Sequence, residues 1–292
     1  MSGKDEMSSV LVGFDGTDLA RAALVVAAGE ANLRGLRLRI LHAVEAVEGA
    51  GESGTPAGVV EAELAEKAAA LARSVLPAGR VDVETVHGWA VDELLARSAG
   101  AQMLVLGRGH PGVLGALLGS VALGAATGAS CPVLVVPDPG PGGPRSEGIV
   151  VVGVHGVEDS TDALQEAFTE ADLRRAQLVA VHTSRFAAWA GAPEPAGLSR
   201  DPLGLERDEA AVLRDALLPF RAKFPGVGVT EQLGEGNPAQ ILVEISAQAQ
   251  MLVVGTRGRG PVEGLVLGSV GQHLIRHANC PVLVARPHVD GG

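Results

Sequence analysis

Tyrosine is missing from this 292-residue chain, and aromatic residues together make up 2% of it. Any core must then be filled by Val, Leu and Ala. The aromatic stacking platforms and basic grooves that hold single-stranded nucleic acid are not supplied. Bases are short as well: 23 Lys and Arg face 34 Asp and Glu, a formal net charge of −11. That opposes nucleic acid as a general partner, while leaving room for a local basic patch. Two cysteines, Cys131 and Cys280, are too few for a disulfide scaffold. No apolar run reaches the roughly 18 residues of a membrane span, and the opening MSGKDEMSS lacks the apolar stretch of a leader peptide. A reducing cytoplasm is the expected location. What the chain does have is aliphatic bulk: it is 47% hydrophobic, with mean hydropathy +0.26 and 20% charged residues. That composition is neither disordered nor fibrous, and the length allows one large domain or two ordinary ones.

An internal repeat decides between these. VLVGFDGTD, Val10 to Asp18, returns as VVVGVHGVED, Val150 to Asp159, with Gly13 and Gly153 140 residues apart. His42 of RILHAV and His182 of LVAVHT keep the same offset. QMLVLG at Gln102–Gly107 returns as QMLVVG at Gln250–Gly255, now 148 apart; LLGSV and VLGSV, then CPVLVV and CPVLVA, follow at 149. Five blocks matched in order mean a duplication, with about eight residues inserted in the second copy and one more at its glycine loop. A period of this length makes each copy a complete domain, not a solenoid repeat. The expected division is residues 1–137, a linker at 138–148 and residues 149–292. The boundary falls in the Pro- and Gly-rich text of Pro137 to Gly148, PDPGPGGPRSEG, which sustains neither helix nor central strand.

Within each copy, strands and helices alternate. Copy one predicts strands at Ser9–Phe14, Arg37–Ala43, Asp82–His87, Gln102–Gly107 and Val133–Val136, several of them unbroken apolar runs. A helix is predicted over Asp18–Arg34, with Thr17 or Asp18 as N-cap. A second, over Val59–Leu76, carries Val60, Leu64, Ala68, Leu71 and Val75 at helical spacing. Its counterpart uses Leu213, Leu217, Phe220 and Phe224. The fold class that follows is α/β: two tandem doubly wound five-stranded parallel sheets. Ligands on such sheets sit beyond the carboxyl ends of the strands, at the switch point in strand order. The insert at Ser184–Leu205, rich in Pro, Gly and Ala, is expected to be a flexible loop, with a lid or partner contact as the alternative.

The most specific chemistry stands at the fourth strand of copy two, VVGTRGRGPVEGLVLGSV. Gly255, Gly258, Gly268 and Ser269 form G-x-x-G-x9-G-S between a strand and a helix. Glycines bring backbone N–H groups close to an anion, and a helix N-terminus adds unpaired N–H groups. Ser269 adds a hydroxyl, to a phosphate or as N-cap, and Arg257 and Arg259 can add charged donors. The same text fits a glycine-rich turn that binds nothing.

This pattern resembles the nucleotide loop of the universal stress protein family. The D-G turn after strand one, the His-bearing second strand, the turn after strand three and CPVLVV on strand five agree, over nearly the whole chain. The resemblance implies a five-stranded parallel sheet, an adenine nucleotide (ATP, ADP or AMP, with or without magnesium) in some members and no ligand in others. It also implies pairing through the last strand, Val133–Val136 with Val282–Ala285, inside one tandem chain or between two. Carried over by position, Asp15 is the acid that meets the adenosine, following Gly13. Ala43 and Thr183 meet the adenine. Gly107, Gly109, Gly119, Ser120 and Val121 form the phosphate loop of copy one. In copy two that loop is Gly255, Arg257, Gly258, Gly268, Ser269 and Val270. Two departures stand out. Only one residue separates Gly107 from Gly109, so the first loop is one residue short. His155, following Gly153, stands where copy one has Asp15, and an imidazole is no carboxylate acceptor. The reading favours copy two for phosphate and copy one for the acidic contact.

Other features carry less. Gly107 to Gly112 spell G-x-G-x-x-G, but after the fourth strand and without a repeat in copy two, so dinucleotide binding is a weak alternative. His42 and His182 are expected to be packed and hydrogen-bonded, not metal ligands. Trp89 is expected to pack, with stacking on a base as the alternative. Cys131 and Cys280 read as buried small hydrophobes opening strand five. No nucleophilic triad, paired carboxylates or metal cluster repeats across the copies. The expected function is a stress-response regulatory protein binding an adenine nucleotide and signalling to another protein. The rivals are a ligand-free interaction module and a weak ATPase.

Overall fold

The computed structural model describes residues 9–44, 57–109, 120–140, 147–157, 159–184, 202–256 and 267–286. The chain divides into two compact units, Met1–Pro144 and Arg145–Gly292.

Unit one runs β1 (Ser9–Gly13), α1 (Asp18–Arg34), β2 (Arg37–Val44), α2 (Ala57–Arg73), a 3-10 turn at Ala78–Arg80, β3 (Val81–His87), α3 (Ala90–Ser98), β4 (Met103–Gly107), α4 (Ser120–Gly128) and β5 (Val133–Val136). Its strands are all parallel, in the order β3-β2-β1-β4-β5. Unit two runs β6 (Ile149–Val154), α5 (Thr161–Arg174), β7 (Leu178–Ser184), α6 (Pro202–Lys223), β8 (Val229–Glu235), α7 (Pro238–Ser246), β9 (Ala249–Val254), α8 (Ser269–His277) and β10 (Val282–Val284). Its order is the same, β8-β7-β6-β9-β10, again all parallel. The doubly wound α/β architecture expected from the sequence is therefore present in each unit. In unit one α1 packs with α2, and α3 with α4, so both faces of the sheet are covered.

That coverage explains the apolar runs. Val10, Val12, Leu104 and Val105 in the middle of sheet one are wholly buried, as are Val150, Val151, Leu252 and Val253 in sheet two. A strand buried on both faces cannot alternate. The scarcity of aromatics is met by alanine: Ala23, Ala27, Ala28 and Ala31 of α1 are all buried. Unit two fills the equivalent helix seam differently. Phe168 stacks with Phe220 and Phe224, ring centroids 5.6 Å apart in both pairs, where unit one has Ala28, Ala72 and Leu76.

The predicted face of α2 needs correction. Val60 is 56% exposed and Val75 38%. The buried stripe is Ala68, Ala69 and Ala72, and the helix ends at Arg73, so Val75 and Leu76 lie beyond it. Alanines let this helix lie close against α1 and the sheet, and the bulkier valines are turned away.

The helices that follow the first strand of each unit end alike and begin differently. Glu30 with Arg34 and Glu170 with Arg174 form the same i,i+4 ion pair at the ends of α1 and α5. Both glutamates are buried, at 6% and 0% exposure. At the other end, α1 begins at Asp18 behind Thr17, whose hydroxyl accepts from the Ala20 amide at 3.2 Å. α5 begins at Thr161, which by the repeat offset is three residues later, behind Ser160. Of the two caps expected for α1, Thr17 is the one used.

Candidate functional site

In both sheets the order reverses beside the first strand, between β1 and β4 and between β6 and β9. The crevice at the carboxyl ends of these strands is where such sheets hold ligands.

At the end of β1 the Phe14 amide donates to the Leu41 carbonyl at 2.9 Å. His42 Nδ1, 2.9 Å from the Phe14 carbonyl, ties β2 to the same point. In unit two His182 Nδ1 meets the Val154 carbonyl at 2.8 Å, and its Nε2 meets the Glu209 carboxylate of α6. Both histidines are thus hydrogen-bonded rivets at the edge of the site. Among the described residues, no three His, Cys, Asp or Glu side chains gather to hold a metal.

Beyond β1, Asp15 lies exposed, and its carboxylate is held by the turn itself. Oδ1 accepts from the Thr17 amide at 3.0 Å and from the Thr17 hydroxyl at 2.7 Å. Thr17 in turn caps α1, so helix, turn and acid form one unit. Unit two reverses this arrangement. The His155 and Gly156 amides donate to Ser160 Oγ at 2.9 and 3.4 Å. The anchor is now the buried cap residue, and Val157 replaces Thr17.

On the neighbouring strands Ala43 pairs in register with Val86, and Thr183 with Gly234. Gly13 ends β1 and Gly153 is the penultimate residue of β6, and packing accounts for their lack of a side chain. A Cβ on Gly13 would come within 2.6 Å of Leu106 Cδ2, and one on Gly153 within 3.1 Å of Leu242 Cδ1.

Across the switch point, β4 ends on Gly107. A Cβ there would fall 2.9 Å from the backbone carbon and oxygen of Leu19 at the start of α1. Arg108 follows, its amide donating to the Val136 carbonyl at 2.8 Å. Partial burial pulls its guanidinium below the usual range, and Asp138 opposes that shift. Gly109 takes φ +79°, a conformation that suits glycine. Ser120 and Val121 open α4. In unit two Gly255 follows β9 half-buried and Thr256 is buried. Ser269 and Val270 open α8, but the cap position belongs to Gly268, whose carbonyl accepts from the Gln272 amide at 3.0 Å. Ser269 is therefore the first helical residue and not the cap. Gly119, Arg257, Arg259 and Gly258 lie outside the described residues, as does most of the Ser184–Leu205 insert.

Trp89 overturns its expected packing. It is 70% exposed, immediately past the turn that follows β3. Sequence reasoning also passed over Arg108, Ser160 and Glu209. Nothing in their spacing marks them, because their partners are distant in sequence or arise from where a helix starts. Cys131 and Cys280 are buried just before β5 and β10. No described helix is long and apolar enough to cross a membrane.

The profile described as "Universal stress protein family" matches residues 7–137 and again 148–286. The chain belongs to the universal stress protein family. Among curated family members, the universal stress protein Rv2623 of Mycobacterium tuberculosis is 33% identical over 301 residues, spanning 98% of this chain and 99% of that protein. The crystal structure of a universal stress protein from Archaeoglobus fulgidus covers 95% of this chain and 98% of its own at TM-score 0.68 and 20% identity, a likeness of fold. A universal stress protein solved in complex with cAMP is 27% identical over 44% of this chain and 96% of its own, at TM-score 0.36.

Proposed function

We propose that this family member is a stress-response regulatory protein that binds an adenine nucleotide at the carboxyl edge of unit one. One observation carries the reading: the strand order. From the sheet edge inward, β2 contributes Ala43, β1 leads to Asp15, and β4 leads to Gly107 and Gly109. Strands lie about 4.8 Å apart, so these positions follow one another across roughly 10 Å. Base, ribose and phosphate are joined in that same order. Ala43 offers backbone groups to the base. Asp15, held by Thr17, offers a carboxylate to the ribose hydroxyls. The glycine loop leading to Ser120 and Val121 offers amides to phosphate. Adenine as the base, and ATP, ADP or AMP as the nucleotide, is what family membership implies.

Unit two keeps the full glycine loop, Gly255 to Ser269 and Val270, and lacks the acid. In this reading it is an anion site of lower affinity for a nucleoside. The cytoplasm is the proposed location, and the output is a contact with a signalling protein.

The test is extraction of small molecules from purified protein, followed by calorimetric titration of ATP and AMP into the wild type and Asp15→Asn. Asparagine can still accept from the Thr17 amide, so the turn survives while the charge is lost. Affinity is expected to fall about tenfold, the loss of one charged hydrogen bond. No copurified nucleotide and no heat at millimolar ATP would overturn the reading in favour of a ligand-free interaction module.

A further inference from the structure

We infer that Trp89 is the stacking platform for the base in unit one, so that the two units differ in how they grip a nucleobase. The inference rests on the proposed nucleotide site and adds to it the residue that covers the base.

Trp89 is the most exposed of the large apolar side chains among the described residues. A single exposed apolar side chain needs no explanation by itself. Its position makes this one different. Trp89 occupies the N-cap of α3, where it makes no side-chain cap bond. The equivalent residue of unit two, Asn237, is a working cap: its Oδ1 accepts from the Ala239 amide at 2.9 Å, with Pro238 opening α7. Asn ranks among the best cap residues, and large apolar residues among the poorest. The turns are otherwise matched, Gly88 at φ +157° and Gly236 at φ +119°. Unit one therefore gives up a helix cap to hold an indole in water, a local rule broken with no structural gain. Such breaks collect at functional sites.

The indole is also rooted where a base would need it. The Gly88 amide donates to the Val44 carbonyl at 3.0 Å, fixing the turn to the end of β2. β2 and β3 stay in register to Val44 and His87, so Trp89 follows two residues after the pair that closes this ladder. Along the carboxyl edge the order becomes Trp89, Ala43, Asp15, Gly107: platform, base edge, ribose acid, phosphate loop. The strands that lead to Trp89 and to Asp15, β3 and β1, are two strand spacings apart, about 10 Å, a span that suits an adenosine.

The chain holds two tryptophans, Trp89 and Trp189. Trp189→Phe leaves Trp89 as the only indole. Titrating AMP into that protein, with binding followed in parallel by equilibrium dialysis, is expected to quench or shift the Trp89 emission with the same midpoint as binding. In the same background Trp89→Asn is expected to weaken AMP about tenfold, and Trp89→Phe to retain most of the affinity. Trp89→Asn should not lower the melting temperature, since asparagine caps α3. A structural role for Trp89 would lower it. AMP binding without an emission change, or with Trp89→Asn at wild-type affinity, overturns the stacking role and leaves the nucleotide reading intact. No binding of either AMP or ATP in dialysis overturns both.

Discussion

Gly107 lies so close to the backbone of Leu19 that a single added carbon would stand 2.9 Å from its carbonyl. The end of β4 and the first turn of α1 thus meet without a side chain between them. Gly107→Ala must push strand and helix apart, because backbone atoms cannot swing aside. It is expected to destabilise unit one by about 2 kcal/mol and to weaken nucleotide binding. Gly13→Ala is the comparison. Its obstacle is the far end of the Leu106 side chain, which can rotate. Chemical denaturation of both variants checks the order: Gly107→Ala should be the less stable.

The unit-two turn predicts a conditional gain. His155→Asp restores the acid, but Val157 lacks the hydroxyl that in Thr17 donates to Asp15 beside the amide. The single substitution is expected to raise ATP affinity at unit two less than twofold. The pair His155→Asp with Val157→Thr is expected to raise it several-fold. Equal affinities for the two variants, by calorimetry in an Asp15→Asn background, would contradict the part assigned to the threonine.

The buried pairs are expected to be asymmetric in their response. Glu170→Gln leaves the Arg174 guanidinium, 11% exposed, facing a neutral group. The loss is expected to be about 3 kcal/mol. Replacing both residues by leucine is expected to recover most of that loss, since apolar groups of similar size need no partner there. Urea midpoints of the two variants decide it.

Glu84 gives unit one a pH dependence. Hydrogen bonds from Arg97, at 2.7 and 3.1 Å, and the nearby charge of Arg39 hold its carboxyl below the ordinary value near 4.5. A group with a lowered folded pKa stabilises the fold above its unfolded value, and that stability is lost as pH falls through the folded value. Glu84→Gln, the residue of unit two at Gln232, is therefore expected to flatten the stability curve below about pH 4.5. The side chain is 43% exposed, so the amplitude is expected to be only about 0.5 kcal/mol. Urea midpoints between pH 3 and 6 measure it.

Much of this fold is legible in the sequence because duplication prints every element twice. Gly13 with Gly153 and His42 with His182 mark the same strand ends in both copies. The apolar strands and the helix at Asp18–Arg34 follow from local pattern. The face of α2 does not, because an alanine stripe and a valine stripe at the same spacing differ only in how close the sheet approaches. Asp15 and Gly107 stand out by residue type, and the structure brings both to the carboxyl ends of neighbouring strands. The site was not legible at Trp89, whose exposure depends on where a turn stops, nor at Ser160, which acts only because its helix starts late.

That late start has an electrostatic meaning. A helix begins with a partial positive charge that falls off within a turn. In unit one this charge stands at the turn bearing Asp15, and a carboxylate is its natural counterpart. In unit two the helix start is withdrawn by three residues, about 4.5 Å along the axis, and the acid is gone with it. The dipole and the anion were removed together, so each turn is balanced in its own way. Restoring the acid alone in unit two would put a negative charge before a helix end that has moved out of its reach.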